Sequence, residues 1–132
     1  MAGRGPAPKA ERVRRVEPER GGEVAAAGVS WMHGDVPSPP DGLMQASVDA
    51  WSTWFGAWFA AFWLPSDVPA LRQMIRLYDQ VERGEFQRAT ELRLLMDTYG
   101  VTPKGQQDRR WKPPVVELAK VRGSAYAHLK AV

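Results

Sequence analysis

"QASVDAWSTWFGAWFAAFWLP", residues 45–65, is the stretch that decides the fold. Val48, Trp51, Phe55, Trp58 and Phe62 recur every three or four positions, which lines them along one narrow stripe of an α-helix, with Trp54 and Phe59 on its shoulders. Pro65 removes a backbone donor and ends the run. The opposite side, made of Thr53, Gly56, Ala57, Ala60 and Ala61, is small and uncharged. A helix with no charged outer face is expected to be buried on both sides. The pattern predicts one aromatic helix from about Leu43 to Pro65.

Downstream the same helical period continues. In "PSDVPALRQMIRLYDQVERG", Ser66 or Asp67 can cap a second helix, Pro69 is tolerated in its first turn, and Leu71, Met74, Ile75, Tyr78 and Val81 make its inner face until Gly84. In "EFQRATELRLLMDTYG", Ala89, Leu92, Leu95, Met96 and Tyr99 form the apolar side of a third helix. Gly100 stands where a left-handed C-cap belongs, with Val101 as its hydrophobic contact. Thr102 and Pro103 then read as N-cap and first residue of a short fourth helix, so "YGVTP" is a corner. Val115, Leu118, Val121 and Leu129 suggest a frayed basic helix at the end. The expected fold is all-α: a compact bundle of three to four short helices with no convincing strand.

Upstream, residues 1–42 are dense in Gly, Pro, Arg and Glu and include "VPSPPDG". They carry too little apolar surface to offset their ordering entropy, and a flexible basic arm is expected, with Trp31 and Met32 as its anchors. The resulting organisation is an arm at 1–42, a helical oligomerisation core at 43–112 and a basic C-terminal helix or tail at 113–132. The N-terminus has no secretory h-region, which predicts a cytoplasmic protein. The longest uncharged run, 17 residues from Ala50 to Ser66, falls short of a membrane span.

The core, at about 70 residues, is of a size at which a lone hydrophobic core rarely supplies more than about 3–5 kcal/mol. With no cysteine in the chain, a disulfide, a thiolate metal site and a cysteine nucleophile are excluded. Seven of the thirteen residues from Trp51 to Trp63 are aromatic. Three short helices offer little room to hide them, so Trp51, Trp54, Phe55, Trp58, Phe59 and Phe62 are expected to lie between subunits of a homo-oligomer. A bulky monomer core is the alternative. A membrane-surface helix is disfavoured, because the polar face lacks Lys and Arg.

No catalytic residue, metal or cofactor is expected. There is no P-loop, no G-x-G-x-x-G and no nucleophile elbow. His33 and His128 have no ligand-type spacing around them, and Asp79 and Glu82 sit beside Arg76 and Arg83, which favours ion pairs over acid–base chemistry. Charge is distributed more tellingly. Residues 1–22 hold six Lys/Arg against three Glu, residues 23–100 five Arg against ten acids, and residues 101–132 seven Lys/Arg against two acids. Basic ends neutralise phosphate locally even in a chain of net charge +3. Arg4, Lys9, Arg12, Arg14 and Arg15 in the arm, and Lys104, Arg109, Arg110 and Lys112 around Trp111, are the candidate DNA contacts. The second group starts at a helix N-terminus, which offers free N–H groups to phosphate.

The order of these parts resembles the small terminase subunits of tailed bacteriophages, particularly those from phages of high-GC hosts. The resemblance rests on "GRGPAPK" with "RVRR", "WSTWFGAWF", "SDVPALRQMIRLYDQ" and, most specifically, "ELRLLMDTYGVTPKGQQDRRW", and it covers most of residues 1–112. It implies a non-enzymatic, homo-oligomeric ring in the host cytoplasm. Such a ring would recognise double-stranded viral DNA and deliver it to the large terminase subunit, the ATPase and nuclease. The chain departs from the family at Gln106, where a basic residue is common, and shows no evident helix-turn-helix. Two other functions fit the residues alone: a phage structural or adaptor protein that does not bind DNA, and a small dimeric transcription regulator.

Overall fold

The computed structural model describes Gly3 and residues 22–115. Its helices are α1 (Gln45–Phe55), α2 (Val68–Glu82), α3 (Ala89–Thr98) and α4 (Pro103–Arg109), with 3₁₀ turns at Trp58–Phe62, Pro65–Asp67 and Phe86–Arg88. Two short strands, β1 (Val24–Ala25) and β2 (Trp111–Lys112), pair in parallel, Val24 opposite Trp111 and Ala25 opposite Lys112. The all-α class holds, with this clip as its one departure among the described residues.

The helix expected from Leu43 to Pro65 is two pieces. α1 ends at Phe55, Ala57 is extended (φ −88°, ψ 156°), and a 3₁₀ segment follows. Gly56 is a poor helix former, and the Phe55 carbonyl, freed at the helix end, accepts the Trp31 N–H at 3.1 Å. The break turns Phe59, Ala60 and Trp63 inward. Phe55 then becomes a hub, with the rings of Trp51, Trp63 and Trp31 at 4.7, 5.1 and 5.2 Å.

That geometry overturns the argument from surplus aromatic surface. Trp51, Phe55 and Trp63 are each 1% exposed in a single protomer, and Trp54 and Phe59 are also buried; only Trp58 and Phe62 of the seven are half-buried. Trp51, Trp54, Phe55 and Phe59 are therefore core residues here, with no face to offer a neighbour. The expected small side is split: Thr53 and Gly56 face solvent, Ala57 and Ala61 are half-buried, and Ala60 is fully buried.

The missing cover comes from residues 22–42, which composition groups with the arm. They run as a strap from β1 to the start of α1. Trp31 is buried in the core while Met32 is half-exposed. The Pro37 carbonyl accepts the Trp51 Nε1–H at 2.8 Å, and the Gly42 carbonyl accepts from Arg83 at 2.9 Å.

α1 has no capping side chain of its own at Met44. Asp79, buried on α2, supplies one from a distance: it accepts the Met44 N–H at 2.9 Å and the Ser47 hydroxyl at 2.7 Å, and Arg83 Nε donates to its other oxygen at 2.7 Å. Burial pushes the Asp79 carboxyl up, but the bonds from Arg83, Met44 and Ser47 outweigh it and hold it below the ordinary carboxylate range. The expected Asp79–Arg83 pairing is present, with Asp79 inside instead of solvated. α2 stops at left-handed Gly84 (φ +102°), and the Glu85 N–H reaches back to the Gln80 carbonyl at 2.9 Å.

Candidate nucleic-acid interface

The corner after α3 forms by local rules. Gly100 is left-handed (φ +69°), and the Val101 N–H closes onto the Met96 carbonyl at 2.9 Å. Thr102 caps α4, its Oγ1 accepting the Gly105 N–H at 3.0 Å and donating to the Asp97 carboxylate. Two glycines let α4 come close. A Cβ on Gly105 would stand 2.2 Å from the Asp97 carbonyl oxygen, and one on Gly100 would stand 2.1 Å from the Trp111 ring. Gln106 Nε2 donates to the Gly100 carbonyl at 3.0 Å and so holds the corner shut.

This arrangement changes the phosphate reading of α4. Pro103 has no N–H, the Gly105 N–H is taken by Thr102, and Gly105 is buried. The turn therefore presents side chains, not a row of amides. Trp111 is an anchor: its ring stacks on Phe62 at 4.3 Å and 3°, and the Arg109 guanidinium lies over it at 5.5 Å from the centroid.

Lys104 and Arg109 are exposed and line one open groove of about 430 Å³ between α3 and α4, together with Leu94, Asp97 and Asp108. An adjoining groove of about 370 Å³ shares Leu94, Asp97 and Lys104 and adds Arg93, a residue the sequence did not single out. Arg110 adopts φ +59° at the end of α4, and its carbonyl accepts the Val24 N–H at 2.8 Å; Lys112 pairs with Glu23. Lys104 pairs with Asp108 at 3.0 Å. The hydrogen bond and charge of Asp108, helped by Asp97 and opposed by Arg93, hold its ammonium above the ordinary lysine range. Lys104 and Arg109 thus share a groove and, with Lys112, are exposed, while Arg110 is half-buried at the end of α4. Exposed ion pairs of this kind are weak, and phosphate can compete for them.

Arg4, Lys9, Arg12, Arg14 and Arg15 lie outside the described residues, as does the tail helix expected beyond Val115. Among the described residues no group of three His, Asp or Glu stands close enough to hold a metal, and no helix is long and apolar enough to cross a membrane.

The fold is that of a small helical protein. A family model described as phage terminase small subunit matches residues 3–119, most of the chain, and the chain belongs to that family. Its role is accordingly one in phage DNA packaging, as the motifs around "YGVTPKG" imply. No curated protein and no solved structure gives a significant match.

Proposed function

We propose that the protein is the DNA-recognising subunit of the packaging machine. It binds double-stranded viral DNA in the host cytoplasm, assembles as a homo-oligomeric ring and hands the DNA to the large terminase subunit, which supplies ATP hydrolysis and cleavage. What supports the DNA part is the density of cations around α4: Lys104 and Arg109 share the α3–α4 groove, and Arg110 and Lys112 follow within three residues, where the basic N-terminal segment joins the core at β1. Polyanion affinity grows with the number of phosphates neutralised together.

Self-association rests on family membership and on large apolar side chains left in water, Phe86 at 73% and Leu94 at 56% exposure. A second reading keeps the protein in the packaging assembly with its edge against protein instead of DNA. The Lys104–Asp108 and Lys112–Glu23 pairs favour it, because they already neutralise two of the cations.

Light scattering on the full chain, followed by duplex titration across a range of salt, tests these readings. A closed assembly larger than a dimer, with affinity falling steeply as salt rises, is the expected result. A monomeric mass removes the ring, and absence of duplex binding at low salt leaves the protein-contact reading.

A further inference from the structure

Residues 82–91, from the end of α2 to the start of α3, are all exposed, and Phe86 in their middle is the most exposed large apolar side chain among the described residues, at 73%. The segment is nonetheless tied down. Left-handed Gly84 (φ +102°) turns the chain, the Glu85 N–H bonds to the Gln80 carbonyl at 2.9 Å, the Phe86 N–H to the Gly84 carbonyl at 3.0 Å and the Arg88 N–H to the Glu85 carbonyl at 3.1 Å. Backbone bonds thus hold Phe86 out as a knob, although a ring in water is unfavourable.

The smaller of the two grooves lies at the other end of α3. Its lining is Arg93, Leu94, Asp97, Thr102, Pro103 and Lys104 around about 370 Å³. Leu94 is 56% exposed and Pro103 is also exposed, so its apolar walls lack a cover. The protomer's own Phe86 cannot supply one, because Leu94 lies eight residues further on. That is on the order of 12 Å of helix.

The charges beside these two features are opposite. Near Phe86, Arg83 is held by Asp79 at 2.7 Å and Arg88 faces Glu91 at 3.8 Å, which leaves Glu82 and Glu85 with no ion-pair partner among the described residues. In the groove, Asp97 accepts the Thr102 hydroxyl and Lys104 pairs with Asp108 at 3.0 Å, which leaves Arg93 with no ion-pair partner among the described residues. The charges left over are therefore acids at the knob and a cation at the groove.

We infer that Phe86 of one protomer seats in this α3–α4 groove of a second copy of the chain, against Leu94 and Pro103, with Glu85 of the first beside Arg93 of the second. This rests on the self-association reading above and names its surface. An aromatic ring so covered buries on the order of 150–250 Å². Knob and groove are different surfaces at opposite ends of α3, so the contact is heterologous, and its repetition closes a ring when the rotation between neighbours allows. Of Lys104, Arg109, Arg110 and Lys112, only Lys104 lines this groove.

Light scattering of the full chain tests the contact, with Phe86→Ser and Leu94→Glu as variants. Both positions are exposed, so far-UV circular dichroism should be unchanged, and a loss of mass then reports the contact instead of folding. The wild type is expected to be a closed assembly larger than a dimer and each variant alone a monomer. An equimolar mixture of the variants should reach twice the monomer mass, because it retains one intact knob and one intact groove. Glu85→Arg or Arg93→Glu alone should weaken association about fivefold, and the two in one chain should restore it. Wild-type mass in both variants, or no recovery in the mixture, overturns the knob-and-groove contact while leaving self-association in place. A wild-type dimer overturns the head-to-tail arrangement. A wild-type monomer overturns the assembly reading and this inference with it.

Discussion

Trp63 and Trp111 belong to two regions that use the same side chain differently. Trp63, in the aromatic segment, is 1% exposed, and its Nε1–H donates at 2.8 Å to the Tyr99 carbonyl, one of the orphan acceptors at the end of α3. Trp111, at the basic edge, is half-buried, lies flat on Phe62 and has Arg109 above it. The first indole closes the core and ties it to the corner. The second is a platform on which the edge is built. The aromatic segment from Trp51 to Trp63 thus belongs chiefly to the protomer's interior, while Lys104 and Arg109 stand where the core's aromatic packing ends.

Substitutions should separate the two regions in proportion to burial. Trp63→Ala is expected to cost most, about 3–5 kcal/mol in chemical denaturation, because a large ring is lost and the Tyr99 carbonyl loses its donor. A cost below 1 kcal/mol would mean that the ring is not packed as described. Gly105→Ala should come next, at up to about 3 kcal/mol, since its methyl group meets the Asp97 backbone and α4 must move away from α3. That variant crosses the comparison, because it should weaken both folding and duplex binding.

Asp79→Asn is expected to cost about 1–2 kcal/mol, by weakening the remote cap of α1 and the Arg83 pair. It also carries a pH signature. The folded carboxyl titrates below its unfolded value of about 3.9, so its contribution is complete above that pH and is lost as pH falls through the depressed folded value. Denaturation midpoints from pH 6 downward should show an acid limb that is shallower in Asp79→Asn. An identical limb in the two proteins would assign the acid sensitivity to other groups. Arg93→Ala should have the smallest effect on folding, within about 0.5 kcal/mol. A large stability loss from that exposed residue would blur the distinction between the regions.

Parts of both regions are legible in the sequence, and the parts that are not share a physical reason. α2, α3 and the corner follow from periodicity and from Gly84, Gly100, Thr102 and Pro103, whose effects act within a turn of themselves. The break after Phe55 depends on Trp31, 24 residues earlier, taking the freed carbonyl, and the clip joins residues 87 apart. Asp79 reads as one of several helix acids until its partners, 35 and 32 residues away, are seen. Mistaking residues 22–42 for arm removed one layer of cover, which made the aromatics look too many for a single protomer. Arg93 escaped for a similar reason: no cation neighbours it closely in sequence, and only the docking of α4 on α3 sets it beside Lys104.

Amide hydrogen exchange of the full protein with and without duplex DNA tests the division most directly. Slower exchange on DNA addition in residues 22–26 and 103–112, with no change in 51–63, is the expected result. Protection confined to 51–63, or none at the edge while DNA is bound, would contradict it.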